Sequence, residues 1–450
     1  MNFLPEVFSI NSAMINGELV IGGCKSTSLA KEFGTPLFVI DEEDFKSRIN
    51  GWKNALANNF GTSAGQVYYA SKSFVSVEVA KWINEAGIGI DVCTGGELAV
   101  ALAANFPADR IEVHGNNKSE AEISKAISIG VAKIVIDSMQ EIERVDRLAK
   151  AAGKVVKVLL RITPGVEAHT HEAISTAHED VKFGFSIASG SAMRAIAATE
   201  AASNISLEGL HCHIGSQIFE NEGFILATTR LIEVAAKFRD EFKRELAELD
   251  LGGGYGIAYV AGDKTFEPEK VMAALAQLVK SECSRHNLAI PKISIEPGRA
   301  IAGPTTTTLY EVGTTKDVEL DGGKSRRYIA VDGGMSDNVR PALYGAEYSA
   351  ILANRTSGDT PISSRLVGKH CESGDIIIRD IALPGDIGPG DLLAIPATGA
   401  YGRSMASNYN HMLKPAVIAV TNGSARVILR RETEADLLAL DVLEAPRNIK

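Results

Sequence analysis

Four short segments carry side chains whose types and order could do chemistry together. Tyr69-Ala70-Ser71-Lys72 places an amine at the end of an apolar, strand-like run, and His213-Ile214-Gly215-Ser216-Gln217 closes another such run. Gly252-Gly253-Gly254-Tyr255-Gly256 follows a third, and Glu296-Pro297-Gly298-Arg299 forms a turn after a fourth. A lysine by itself is ordinarily surface charge. Here it is accompanied by a loop that can bring backbone N-H groups close to a phosphate, because glycine permits the dihedrals and the close approach that a side chain would forbid. The glycine spacing is not that of a P-loop, and no G-x-G-x-x-G opens a helix after a first strand, which argues against nucleotide chemistry.

An amine, a phosphate cradle, a carboxylate and a flat imidazole together suit one ligand, pyridoxal phosphate. Lys72 is then the lysine that holds its aldehyde. Gly252, Gly253 and Gly254 would cradle the phosphate with Ser216 close by, and His213 would stack on the ring. Glu296, in the turn with Pro297 and Gly298, would keep the pyridine nitrogen protonated so that the ring accepts electrons. Arg299 reads as a carboxylate clamp, and Asp91, near the end of the second run, as a group that positions the lysine linkage.

These residues need elements that bring them to one end of a sheet. Eight short apolar runs alternate with helix-patterned stretches: 66–70, 89–93, 110–114, 133–137, 155–162, 207–213, 248–251 and 292–296. That alternation predicts parallel strands with crossover helices. With polar residues at nearly every strand end, it predicts a (β/α)8 barrel whose active site lies at the C-terminal ends of the strands. After Gly303 the texture turns to Thr-, Val- and Ile-rich runs broken by Gly-Gly, Pro-Gly and Asp-Gly pairs, which predicts a β domain. Its candidate strands are 326–332, 375–381, 391–395, 416–420 and 424–430. The expected division is a barrel over 37–303 and a β domain built from 1–36 with 304–450.

Bulk composition narrows the partners. The 450 residues are 45% hydrophobic and 23% charged, as in ordinary globular proteins, and no stretch has the sustained apolar length of a membrane span. A net charge of -10 argues against nucleic acid or an anionic membrane as partner. No basic n-region with an apolar core opens the chain, so the cytoplasm is the expected location. The five cysteines lack close pairs, which fits neither a disulfide framework nor a zinc site, and no metal is expected.

The motifs in this order resemble the alanine-racemase-like pyridoxal phosphate enzymes, in the branch of basic amino-acid decarboxylases. Val331-Asp332-Gly333-Gly334-Met335-Ser336-Asp337-Asn338 through Arg340 and Tyr344 resembles that branch's substrate-arginine segment. Cys371-Glu372-Ser373-Gly374-Asp375 resembles the C-E-S-G-D motif of diaminopimelate decarboxylases, and Gly399-Ala400-Tyr401-Gly402 the late cofactor-binding tyrosine motif. The resemblance implies decarboxylation of meso-diaminopimelate at its D centre to L-lysine. It assigns Cys371 the role of general acid, contributed by the partner subunit of a homodimer. Arg299, Arg340, Tyr344, Glu372 and Tyr401 are the implied substrate contacts, with Tyr401 also on the cofactor. His169-Thr170-His171 and the following Ile174-Ser175-Thr176 resemble the loop after strand five, where Ala177 departs from the usual glycine. The rival readings are an ornithine- or arginine-type decarboxylase on the same fold and a non-catalytic regulatory homologue. Two arginines and the Cys371 motif speak against the first, retention of both Lys72 and Cys371 against the second.

Overall fold

A computed structural model describes residues 3–165, 182–219 and 221–442. His169, His171 and Ala177, with the motif they belong to, lie outside the described residues. The chain divides into two compact units, one of residues 44–258 with 262–304, the other of residues 1–43, 259–261 and 305–450.

The first unit is a closed parallel barrel. Its strands are Ala64–Ala70, Gly89–Val92, Ile111–Val113, Lys133–Ile136, Val156–Thr163, Ile205–His211, Glu248–Asp250 and Lys292–Ile295. Each pairs in parallel with the next, and the eighth returns to the first through Ile293 against Ala64 and Ile295 against Val67. Every one of the eight expected runs is a barrel strand. They read as continuous apolar stretches because a barrel strand is covered on both faces, by the interior and by the helix ring. A two-residue strand, Phe185–Ser186, adds to the fifth outside the ring.

Helix starts are written locally. After each of the first four barrel strands a hydroxyl accepts from the N-H three residues on: Ser76 from Val79, Thr94 from Glu97, Ser119 from Glu122 and Ser138 from Glu141. Such caps satisfy donors that the first helical turn leaves orphaned. Each fixes where a strand-to-helix loop ends, and these loops carry the chemistry of a barrel.

The second unit is built on a sheet around Thr306–Leu320. One part of this strand pairs with Leu37–Asp41 and Leu392–Ile395, and its remainder runs antiparallel to Lys324–Val331. Pro361–Val367 and Ile376–Pro384 extend the sheet on one side, Ala416–Thr421 and Ser424–Leu429 on the other. All five expected strands of this region are present. Residues 37–43, expected with the barrel, belong to this unit, because Leu37–Asp41 is buried between Thr306–Leu320 and Ala416–Thr421. Ser12–Ile15, Glu18–Ile21 and Cys24–Lys25 form a small separate sheet.

Candidate active site

At the C-terminal end of the barrel, Lys72 sits in the turn that follows the first strand. The Ser71 N-H donates to the carbonyl of Asp91 (3.3 Å), and the Ser73 hydroxyl donates to that of Ala70 (2.8 Å). The turn is therefore tied to its own strand and to the neighbouring one. A Cβ on Gly298 would stand 2.7 Å from the Ala70 side chain, so the turn after strand eight closes directly onto the lysine turn and only glycine fits there.

The glycine run is equally constrained. A Cβ on Gly252 would meet the Cys212 carbonyl oxygen at 2.3 Å, one on Gly253 the Glu296 carbonyl oxygen at 2.1 Å, and one on Gly254 the Gly215 carbonyl oxygen at 2.4 Å. The loops after strands six, seven and eight thus touch through backbone alone. The Gly253 N-H donates to His213 Nδ1 (3.2 Å), which places the imidazole proton on Nε2. Burial, reinforced by Lys72 and Arg161, drives the His213 pKa well down, so the ring is neutral and suited to lie against another flat ring. Ser216 Oγ accepts from Arg299 Nε (3.1 Å) and Nη2 (2.9 Å), placing the arginine on the Ser216 loop.

Asp91 is fully buried, and neither carboxylate oxygen has a hydrogen-bond partner among the described residues. Burial raises its pKa, opposed by Lys72. Glu296 is buried too, and two imidazoles reach it: His114 Nε2 at 2.9 Å and His211 Nε2 at 3.1 Å, both on Oε1. Burial alone would protonate this carboxylate, but His114 and His211 outweigh it and hold the group well below the usual carboxylate range. Sequence reasoning missed both partners. His114 ends the third expected run and was the available signal. His211 is the last residue of strand six, whereas His213 lies just beyond it on the Ser216 loop.

The remaining expected residues lie in the sheet unit. Arg340 opens the short helix Arg340–Tyr344 and is buried. Its guanidinium carbon lies 4.3 Å from the centre of the Tyr259 ring and 5.3 Å from that of Tyr348, and Nη1 donates to the Tyr348 hydroxyl. Burial works against this charge, yet the two tyrosines raise its pKa. Tyr348, four residues past Tyr344, is a second aromatic partner absent from the sequence reading. Tyr401 has φ +60°, a left-handed conformation uncommon outside glycine, of a kind that clusters at functional sites. Cys371 is exposed. Its N-H donates to Asn410 Oδ1 (3.2 Å), while Asp375 accepts from the His370 N-H (2.9 Å) and the Met335 N-H (2.6 Å). Asp375 therefore staples the Cys371 turn to the Gly333–Gly334 loop, and Glu372, exposed beside Cys371, accepts from the Gly374 N-H (3.2 Å).

A lysine, a buried ionised carboxylate, a neutral imidazole and a side-chain-free loop at one end of a parallel barrel are a donor set that fits pyridoxal phosphate. They define the class: a barrel enzyme that depends on pyridoxal phosphate. The family model described as pyridoxal-dependent decarboxylase, pyridoxal binding domain, matches residues 42–303. The diaminopimelate decarboxylase of Mycobacterium tuberculosis (strain ATCC 25618 / H37Rv) is 54% identical over 98% of this chain and 99% of its own length. That of Bacillus subtilis (strain 168) is 46% identical over 95% and 96%. The solved structure of diaminopimelate decarboxylase from M. jannaschii in complex with L-lysine superposes with a TM-score of 0.89 at 31% identity, covering 97% of this chain and 98% of that one. The chain belongs to the diaminopimelate decarboxylases, within the pyridoxal-dependent decarboxylase family.

Proposed function

We propose that this enzyme removes the carboxylate at the D centre of meso-diaminopimelate and releases L-lysine and CO2, the last step of lysine biosynthesis. The observation that supports it most is the buried, ionised Glu296 held by two imidazoles at the end of the barrel that also carries the lysine turn. Bound pyridoxal phosphate supplies the electron sink for the pair of electrons left when CO2 departs. Lys72 would hold the cofactor through its aldehyde. Gly254 and Ser216 would bind its phosphate in a cradle shaped by Gly252 and Gly253, whose N-H groups donate to Asp250 Oδ1 and His213 Nδ1, while His213 would cover the ring face and Glu296 would keep a proton on the ring nitrogen. Asp91 fixes the Lys72 turn.

Substrate selection follows from charge. A distal carboxylate asks for a guanidinium and a distal ammonium for a carboxylate, roles that Arg299 and Arg340 on one hand and Glu372 on the other supply, with Tyr344 and Tyr401 as hydroxyl donors. The C-C bond to the carboxylate breaks, and the Sγ proton of Cys371 passes to the alpha carbon. The thiolate then regains its proton from solvent. The exposed position of Cys371 suits donation to the site of a partner subunit in a homodimer.

The purified holoenzyme should release CO2 from meso-diaminopimelate and form lysine, with L-ornithine turned over at least about 100-fold more slowly, the order expected when buried charges lose their partners. Comparable release from ornithine would assign the enzyme to the basic-substrate branch instead.

A further inference from the structure

We propose that His114 and His211 are positioning residues for Glu296: the two imidazoles occupy one carboxylate oxygen and so present the other, as a fixed anion, to the ring nitrogen of the bound cofactor. This rests on the reading that Glu296 meets that nitrogen.

The geometry is a row of charges inside the barrel. Glu248 Oε1 lies 2.6 Å from Lys133 Nζ, and Lys133 Nζ lies 3.4 Å from Glu112 Oε2. Glu112 Oε1 stands 3.5 Å from His114 Nε2, which stands 2.9 Å from Glu296 Oε1. His211 Nε2 reaches the same Oε1 at 3.1 Å, its ring centre 4.9 Å from that of His114. The signs alternate along the row: three carboxylates against one ammonium and one imidazolium. A single positive charge beyond Glu296 neutralises it, and a protonated ring nitrogen is that charge.

Burial works against the His114 imidazolium, but Glu296 and Glu112 outweigh it and raise its pKa to about 10. His211 moves the other way, since its burial outweighs Glu296, and it stands 3.1 Å from Oε1 as a neutral ring. The other titratable groups acting on this carboxylate or its imidazoles, among the described residues, are Asp91, Asp250, Arg161 and His213, which burial keeps neutral, together with Cys93, Cys212 and Tyr255, whose pKa values burial raises so that they stay uncharged. Burial raises the pKa of both aspartates and so weakens them as competitors for the imidazoles. A buried carboxylate with no such support would take up a proton and lose its hold on a pyridinium.

The test compares pyridoxal phosphate with its 1-deaza analogue, in which C-H replaces the ring nitrogen, by equilibrium binding to cofactor-depleted protein. Wild type should prefer pyridoxal phosphate by at least about tenfold, the scale of one charged hydrogen bond. Glu296→Gln should abolish the preference, and His114→Gln and His211→Gln should each reduce it several-fold. An undiminished preference in both histidine variants, with Glu296→Gln losing it, would overturn the inference and leave the Glu296 reading intact. No preference in wild type would remove the Glu296 reading itself, and the inference with it. Should the variants fail to fold, nitrogen-15 NMR of histidine-labelled wild-type apoprotein decides: the His114 ring beside Glu296 should keep both N-H protons at about pH 8.5, and a neutral His114 ring there would count against the proposal.

Discussion

Asp91, His213 and Glu296 do different work because their surroundings move their charges in different directions. Glu296 stays ionised under burial, His213 stays neutral, and Asp91 is pushed toward its protonated form. His114 gives this arrangement a measurable signature in the apoprotein. Its imidazole holds a proton in the folded state to about pH 10, against about 6.5 in an unfolded chain. Its contribution to stability is therefore complete below about pH 6.5 and is lost as pH rises toward 10, where the folded chain still holds a proton that the unfolded chain has released. The Asp91 carboxyl acts lower, between about 3.9 and about 7, so the two windows separate. Urea midpoints of wild type should fall between pH 7 and 10 more steeply than those of His114→Gln. Parallel curves would show that His114 carries no such charge.

At the scale of elements, the site is made by loops that approach each other through backbone alone. Gly253→Ala would drive a Cβ to 2.1 Å from the Glu296 carbonyl oxygen, and overpacking of this kind costs about 1–3 kcal/mol. We expect a lowered melting temperature together with weaker cofactor binding. Gly96→Ala, whose Cβ would meet nothing nearer than Thr94 Oγ1 at 3.7 Å, should leave both within error or slightly improved. Equal losses in the two variants would mean that the glycine run plays no special part. These loops were legible in the sequence because barrel strands are apolar on both faces, which fixes where each ends, and the polar residues after the ends announce themselves. The support behind Glu296 was not legible. His114 and Glu296 come from strands three and eight, and whether such strands bring side chains together depends on the stagger of the closed barrel, which no local pattern encodes. Thr306–Leu320 was likewise unread as one strand, since its first part is buried and its second part is a largely exposed hairpin arm. Tyr348 escaped because a tyrosine four residues after Tyr344 carries no sign of which ring meets Arg340.

At the scale of the whole molecule, the proposed dimer makes a prediction that a monomeric site cannot match. Lys72→Ala and Cys371→Ala should each be nearly inactive, a general acid alone contributing about 10²–10⁴-fold. Mixed and allowed to exchange subunits, they should regain up to about a quarter of wild-type activity, because half of randomly paired dimers carry one site with both residues intact. Mixing without recovery, with exchange shown independently, would place both residues in one subunit's site.

The central claim is that Lys72 carries pyridoxal phosphate for diaminopimelate decarboxylation. The most direct measurement is borohydride reduction of the holoenzyme, with peptide mapping of the fixed pyridoxyl group and an assay of CO2 release from meso-diaminopimelate before and after reduction. One label per chain is expected, on Lys72, with loss of CO2 release in proportion to labelling. A label on another lysine, or release that survives full labelling, would contradict it.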